Sequence, residues 1–258
     1  MRLMKRILSA AAVLALSASL LVGCSSGTAS SVPVSASSAA ESTVSSVEET
    51  ASSAVDENEA AAAQLLNDLT GSYQELWPVI LADEYKQTWL DDCTALVGED
   101  NAEAAFEKLS SMVTGDVYGE DAVKAYANGG GAYFCGFTNS LAILTFDGET
   151  STISGTDKDG NVLFSHTYHY IGMEPVRGLY EFQSDDADSG EFTYFFLAPD
   201  TSAETYHIEF RYGSDAEVLS QYDTGEYAYW LASGISTDCD QTMIDNCIEL
   251  FCTENLAG

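Results

Sequence analysis

Between residues 132 and 212 the chain repeats one pattern, a short segment rich in aromatic and β-branched residues followed by a turn. The seven segments read AYFCGF, LAILTF, TSTISG, NVLFSHTYHY, GLYEFQ, FTYFFLA and TYHIEFRY. Such residues favour half-buried pleated strands, and the connections DGET, DKDGN and SDDADSG carry the residues that hairpins need. A long run of consecutive antiparallel strands usually hides its edges by closing into a barrel. The pattern therefore predicts a mainly β chain built on an antiparallel β-barrel.

Helical patterns flank the predicted barrel on both sides. From about residue 58, NEAAAAQLLNDLTGSYQELWPVILADEYKQTW places apolar residues three and four positions apart, with breaks near Gly71 and Pro78. NAEAAFEKLSSMV and EDAVKAYA predict two further short helices, and STDCDQTMIDNCIELFCTEN predicts a closing helix that begins after a Ser/Thr/Asp cap. We therefore expect one folded domain over residues 58–258, with N-terminal helices, a barrel and a C-terminal helix.

The first 23 residues predict an export signal. MRLMKR is basic, ILSAAAVLALSASLL is apolar but too short to span a membrane, and LVGC supplies a small-residue cleavage site. LVGC resembles a bacterial lipobox, which implies cleavage before Cys24, a lipid on the Cys24 sulfur and extracytoplasmic anchoring to the cell membrane. The alternative is an ordinary secretory signal in which Cys24 occurs by chance. Residues 24–57 are rich in Ser, Ala and Glu and lack aromatic residues, so we expect a disordered tether.

The charge balance is strongly acidic. The chain has 41 acidic residues and 9 Lys and Arg, a formal net charge of −32. Such a surface repels nucleic acid, which we therefore exclude as a partner, and it attracts cations. The same charge is also consistent with simple solubility.

Five cysteines follow Cys24, namely Cys93, Cys135, Cys239, Cys247 and Cys252. Disulfides are possible outside the membrane, but an odd number leaves at least one thiol free or paired between molecules. None of the five has the C-x-x-C spacing typical of a cysteine zinc site. The sequence leaves the pairing open.

Several segments, in the order in which they occur, resemble the ZinT (YodA) family of bacterial metal-binding proteins. They are DLTGSYQELWPVI, TYHYIG, YHIEFRYGSD and VLSQYDTGEYAYWLASGIS, and the likeness covers roughly residues 62 to 253. The resemblance implies a lipocalin-like (calycin) barrel with flanking helices. It also implies histidines that bind zinc at one mouth of the barrel, and delivery of the ion to an ABC importer.

The family's ligands carry over only in part. His207 matches the first histidine of the family's His-x-His strand, and Glu209 stands where the second would be. The family's upstream histidine aligns near Phe195, and its long histidine-rich loop is absent. One of the three histidines that the resemblance implies is therefore present.

A mixed ligand set remains possible on the predicted strands. Residues two apart on a strand share a face, so His207 and Glu209 can converge on one ion. A third ligand can come from FSHTYHY, where His169 shares a polar face with Ser165 and His166 lies on the opposite, aromatic face. If the polar face lines the cavity, the predicted ligands are His207, Glu209 and His169. Histidine and carboxylate suit Zn²⁺, and a carboxylate-rich site can prefer Mn²⁺ or Ca²⁺.

Two interpretations without a metal compete with this site. In the first, Thr205, His207, Glu209 and Arg211 form the wet face of an ordinary strand, with Glu209 paired to Arg211. In the second, the barrel has lost its metal and serves as a small-ligand binding or surface interaction module, since barrels of this size can enclose one small ligand. The tyrosines that would line such a cavity are Tyr133, Tyr168, Tyr170 and Tyr194.

Motifs for catalysis and for calcium are not present in full. The sequence has no G-x-S-x-G, no H-E-x-x-H and no phosphate-binding loop. DKDGNV begins like a calcium-binding loop, but it has Val162 where the glycine is required and Tyr168 at the twelfth position. We therefore predict a hairpin turn at Asp157 and a binding protein that is not an enzyme.

Overall fold

The computed structural model describes residues 57–198 and 207–257. The predicted signal peptide over residues 1–23, Cys24, and the predicted tether apart from residue 57 lie outside the described residues. None of the described helices has both the length and the apolar character that crossing a membrane requires.

Eight antiparallel strands form a closed barrel in which each strand pairs with the next along the chain and β8 pairs with β1. The strands are β1 Gly71–Glu75, β2 Ile143–Asp147, β3 Thr152–Thr156, β4 Val162–Met173, β5 Tyr180–Ser184, β6 Tyr194–Leu197, β7 His207–Gly213 and β8 Ala232–Ser236. With helices before and after it, this barrel confirms the predicted lipocalin-like architecture.

Seven helices accompany the strands in the described part of the chain. They are α1 (57–68), α2 Leu76–Ile80, α3 Lys86–Val97, α4 Glu99–Val113, α5 Glu120–Ala127, α6 Ala216–Leu219 and α7 Gln241–Leu256. The closing helix begins as its sequence predicts, because the side chain of Asp240 accepts a hydrogen bond from the backbone N–H of Met243.

The barrel interior is filled by aromatic side chains. Phe182, Phe195, Phe210 and Tyr212 are at most 1% exposed, and neighbouring rings among them lie 5.4 to 6.4 Å apart. An eight-stranded barrel is just wide enough for its own side chains. The described lumen is therefore a packed core.

The tyrosines proposed to line a ligand cavity take part in this packing. Tyr168 is 2% exposed, and its hydroxyl donates to the backbone carbonyl of Phe192. Tyr170 and Tyr194 pack against the edge of the same core, and Tyr133 packs against the helical layer. These four side chains therefore stabilise the fold.

A second apolar layer lies between the outer face of the barrel and the helices. It joins Trp77 of α2, Trp89 of α3, Leu109 of α4 and Ile248 of α7 to Ile235 of β8. Each of these side chains is at most 7% exposed. The helices thus cover one side of the barrel and bury the outer face of β8.

The prediction of a strand at AYFCGF is wrong. In this segment Phe134 makes only isolated bridges, to Thr114 and Trp230. Its ring stacks on that of Tyr118 with 5.5 Å between centroids. The aromatic residues of the segment serve packing rather than strand pairing, and propensity alone does not separate the two roles.

Two strands that close the barrel were not predicted. β1 lies inside a stretch with helical periodicity, and β8, with the sequence ASGIS, has few residues of high β propensity. A side chain at Gly234 of β8 would lie 3.1 Å from Ile208 and 3.3 Å from Phe137. The small residues of β8 therefore reflect close packing against neighbouring side chains.

The acidic turn at Asp157 is a hairpin tip, as predicted. It connects β3 to β4, and the Asp157 carboxylate accepts hydrogen bonds from the backbone N–H groups of Asp159 and Asn161. These bonds lower the pKa of Asp157 together with the bond from the Asn161 side chain, which is the largest contribution. The aspartate thus stabilises its own turn.

Candidate functional site

A recess of the size of a small ion lies between β7 and the helices α2 and α7. Its walls are formed by Leu76, Trp77, Ile80, His207, Glu209, Cys247, Leu250, Phe251 and Glu254. The space inside it is about 30 Å³, which is enough for a water molecule or an ion. Polar side chains of the barrel wall therefore meet the apolar layer beneath the helices at this point.

Strand alternation places His207 and Glu209 on the outer face of the barrel. Ile208, Phe210 and Tyr212 belong to the interior core, and successive residues of a strand point to opposite faces. His207 and Glu209 therefore project toward α2 and α7, and both are half-buried. The structure brings these two predicted ligands together, but away from the lumen.

Helix α7 contributes two further polar groups that were not among the predicted ligands. Cys247, Phe251 and Glu254 lie four and three positions apart, a spacing that puts them on one face of a helix. Cys247 is buried and Glu254 is exposed at the last turn. A carboxylate at the end of a mainly apolar helix face is the signal by which Glu254 can be found from sequence.

The thiols next to the recess are protonated at neutral pH. Burial raises the pKa of Cys247 to about 12, with a further contribution from Cys239. Burial also raises the pKa of Cys135 to about 12, and the Glu209 carboxylate adds to this effect. Neither thiol is therefore available as a thiolate unless a cation displaces its proton.

One wall of the recess contains a buried donor that is poorly satisfied. The side chain of Trp77 is 7% exposed, and its indole Nε1–H makes no hydrogen bond of regular geometry in the described structure, although the Cys135 thiol, a weak acceptor, lies beside it. A buried donor left without a good acceptor costs up to about 1–3 kcal/mol. The recess is thus a place where a bound water or carboxylate oxygen would be stabilised.

The donor groups of the recess fit zinc in type but not yet in spacing. Imidazole nitrogen, carboxylate oxygen and thiolate sulfur are all zinc ligands in proteins. Among the described residues, however, no three His, Cys, Asp or Glu side chains are grouped closely enough to hold a metal ion. The two donors on β7 are neighbours, and a third would have to move to join them.

His169, the third predicted ligand, lies elsewhere. It is on β4, which β5 and β6 separate from β7 in the barrel, and it is not part of the recess wall. Its Nδ1 is 2.7 Å from a carboxylate oxygen of Asp185, and both side chains are 53% exposed. The structure therefore does not bring His169 to His207 and Glu209.

His166 occupies the opposite face of β4. Its ring lies 6.0 Å from Phe164 and 6.5 Å from Tyr168, both of the interior core, and its Nδ1 is 2.7 Å from Asp186. The aromatic face of β4 is thus the inner face. Since the polar face with His169 points outward, the condition that favoured His169 as a lumen ligand is not met.

The alternate residues His207, Glu209 and Arg211 of β7 do not form a solvent-facing surface. Arg211 is 0% exposed, and its guanidinium donates hydrogen bonds to the backbone carbonyls of Leu219 and Tyr227. The interpretation of this row as an ordinary wet face is therefore wrong for Arg211. The outer face of β7 is covered by α7 at one end and by the segment after α6 at the other.

Comparisons with known proteins find similarity among solved structures only. No protein-family model and no curated protein matches the sequence. The barrel is similar to the Zn(II)-bound ZinT-like domain of Streptococcus pneumoniae AdcA, with 15% identity and a TM-score of 0.45 over 71% of this chain and 89% of that one. It is also similar to Zn(II)-bound AdcA from the same organism, with 14% identity and a TM-score of 0.42 over 72% of this chain and 35% of that one.

Proposed function

We propose that this protein is an extracytoplasmic lipoprotein that binds a divalent cation, zinc in preference to others, and passes it to an ABC-type importer. In this proposal it is a binding protein and not an enzyme, and a lipid on Cys24 holds it at the bacterial cell membrane. The membrane anchor rests on the lipobox-like LVGC. The importer rests on the resemblance of the sequence to the ZinT family.

The observation that carries the proposal is that His207, Glu209 and Glu254 all line one small recess. His207 and Glu209 are held by β7, so they would form the fixed half of the site. Glu254 is exposed on the last turn of α7, and a change of rotamer would turn its long side chain inward. One imidazole and two carboxylates make a ligand set that zinc accepts.

The types of ligand also determine the expected affinity for zinc. Two carboxylates and one imidazole bind zinc less selectively than three imidazoles, because hard oxygen ligands also suit Mn²⁺ and Ca²⁺. Ordering the Glu254 side chain and desolvating the carboxylates add a cost at the moment of binding. We therefore expect one saturable site of micromolar rather than nanomolar affinity.

The test is calorimetric titration of the metal-free full chain with Zn²⁺. The wild type is expected to show one saturable site, and His207→Ala is expected to weaken it by ~100-fold or more, since even mutations around the ligands of a metal site cost 10–100-fold. Glu254→Gln is expected to weaken the same site. The thermal midpoint of each metal-free variant should stay close to that of the wild type, because both side chains lie at the rim of the core.

His169→Ala is the matched control, because it removes an imidazole that lies outside the recess. It is expected to leave zinc binding unchanged. Loss of binding in His169→Ala but not in His207→Ala would move the site to β4 and contradict the recess. Weak binding at many sites, equal in all variants, would mean that only the acidic surface responds and that the barrel serves as an interaction module.

A further inference from the structure

Two cysteine thiols that take no part in the recess face each other where α3 packs on α7. The Sγ atoms of Cys93 and Cys252 are 4.0 Å apart, and both side chains are 0% exposed. The two residues are 159 positions apart in the sequence. Packing of α3 against α7 therefore brings them together.

Aromatic side chains hold the two helices in this register. The rings of Trp89 on α3 and Phe251 on α7 are 6.0 Å apart in an edge-to-face contact. Trp77 of α2 contacts the same Phe251 ring at 4.7 Å. The Trp89 indole N–H also donates to the backbone carbonyl of Ile80 at 2.7 Å. These contacts keep the two thiols opposed whenever the helical layer is folded.

We propose that Cys93 and Cys252 form an intramolecular disulfide when the chain folds in an oxidising environment. An S–S bond is about 2.05 Å long, so the two sulfurs must approach by about 2 Å. Rotation about the side-chain bonds, with a small shift of one helix, provides this movement. The bond would tie α7, which forms one wall of the recess, to the N-terminal helices.

The oxidant in this reaction is a second disulfide, from a small molecule or from a thiol oxidoreductase. The thiolate of one cysteine attacks it, forms a mixed disulfide and releases one thiol. The second cysteine then attacks the mixed disulfide, closes the Cys93–Cys252 bond and releases the second thiol. Two electrons and the two thiol protons pass to the released thiols, so the exchange balances without a further reagent.

The burial of the pair determines when the exchange can take place. Burial raises the pKa of Cys93 and of Cys252, and the protonated thiol is a poor nucleophile. An oxidant in solution also cannot reach side chains that are fully covered. We therefore expect the bond to form during folding, while α7 docks on α3 and the thiols are still accessible, and to resist reductants afterwards.

The experiment is to refold the reduced full chain in a buffer of oxidised and reduced glutathione and to map its thiols. Free thiols are alkylated in denaturant, and the chain is digested after acidic residues. Trypsin is unsuitable because no Lys or Arg follows Arg211. Asp245 and Glu249 separate the three C-terminal cysteines into different peptides.

Recovery of Cys93 and Cys252 in one cross-linked peptide pair is the expected result. Cys135 is the internal control, because its thiol lies beside Glu209 and Trp77 rather than between α3 and α7. It should carry the alkyl label. Labels on both Cys93 and Cys252, or a cross-link from either to another cysteine, would overturn the proposal. A Cys135→Ala variant should keep the cross-link.

A second measurement compares the thermal midpoints of the two redox states. The oxidised wild type is expected to melt on the order of 5 °C or more above the reduced wild type, because the cross-link closes a long loop in the unfolded chain. The difference should vanish in Cys93→Ala. Equal midpoints for the two redox states of the wild type would contradict a native bond at this position.

Discussion

Arg211 places a buried positive charge on the covered outer face of β7. Its guanidinium donates to the carbonyls of Leu219 and Tyr227 and lies 4.4 Å from the centre of the Tyr222 ring. Arg177 approaches the same ring to 4.3 Å. Desolvation lowers the pKa of Arg211 to about 10, so the group stays charged at neutral pH. Carbonyl and cation–π contacts therefore replace part of the water that the charge has lost, while its Nε has no hydrogen-bond acceptor of regular geometry among the described residues.

Two buried tyrosines allow the value of a satisfied hydroxyl to be measured. The Tyr222 hydroxyl is buried and makes no hydrogen bond of regular geometry among the described residues, although the Arg211 guanidinium lies beside it. The Tyr212 hydroxyl, in contrast, donates to the Thr138 carbonyl at 2.9 Å and accepts from the Thr138 N–H. We expect Tyr222→Phe to change the free energy of unfolding by less than about 0.5 kcal/mol and Tyr212→Phe to lower it by about 1–3 kcal/mol. Urea denaturation of both variants measures the difference. Equal losses would mean that the Tyr222 hydroxyl has a partner in solution.

At the residue scale, the sequence predicted part of the candidate site. The period of two along β7 is local, so the shared face of His207 and Glu209 followed from their spacing. Glu254 was missed because it reaches the recess through helix packing between segments distant in the sequence. The outward direction of His207 was missed for a related reason, since both faces of β7 are covered and hydropathy does not tell the lumen from the outer layer.

At the scale of elements, the strands that are rich in aromatic and β-branched residues were predicted. The two strands that close the barrel were not. β2 to β7 follow from aromatic and β-branched residues between turn residues, and α7 follows from its cap and periodicity. β1 and β8 pair with each other and close the barrel, yet their sequences carry little strand signal. Barrel closure is a tertiary constraint, and it overrides local propensity in short segments.

The contact between α3 and α7 also contains an acidic cluster that weakens it. One carboxylate oxygen of Asp92 is buried without a hydrogen-bond partner in the described part of the chain. Burial raises the pKa of Asp92, and the negative charges of Glu249, Asp245 and Asp91 raise it further. An ionised Asp92 is therefore less stable in the folded state than in the unfolded chain.

We expect Asp92→Asn to stabilise the protein at neutral pH by roughly 0.5 kcal/mol, the scale of relieving one charge pair of this kind. The sign follows from linkage. An acid whose pKa is raised by folding destabilises the fold fully above its folded pKa and not at all below its unfolded pKa. The gain from Asp92→Asn should therefore be present at pH 7 and disappear as the pH falls toward 3.8, the ordinary pKa of an aspartate side chain.

Thermal midpoints of wild type and variant across this pH range provide the measurement. Asp91→Asn is the matched control, because it removes the same charge from an exposed position on the same helix. Its effect is expected to be smaller at every pH. A gain for Asp92→Asn that grows as the pH falls would contradict the assigned direction of the pKa shift.

At the scale of the whole molecule, negative charge is abundant and little compensated. The chain has 41 acidic residues against 9 Lys and Arg. Lys124 and Lys158 pair with acidic residues one to four positions away, on exposed surface. Such local pairs contribute little to stability. Repulsion among the remaining carboxylates therefore acts against the compact state.

Salt is expected to stabilise the protein as a consequence of this charge. Raising NaCl from ~0.01 M to ~1 M shortens the screening length from about 30 Å to about 3 Å, so the thermal midpoint should rise by at least a few degrees. Choline chloride should have the same effect, because screening does not depend on which monovalent cation is present. A midpoint that is constant or falls with salt would show that the repulsion is already relieved in the folded state. The same screening should weaken diffuse attraction of Zn²⁺ to the surface more than binding at the proposed site, so zinc binding that survives in high salt but is lost in His207→Ala would support the proposal.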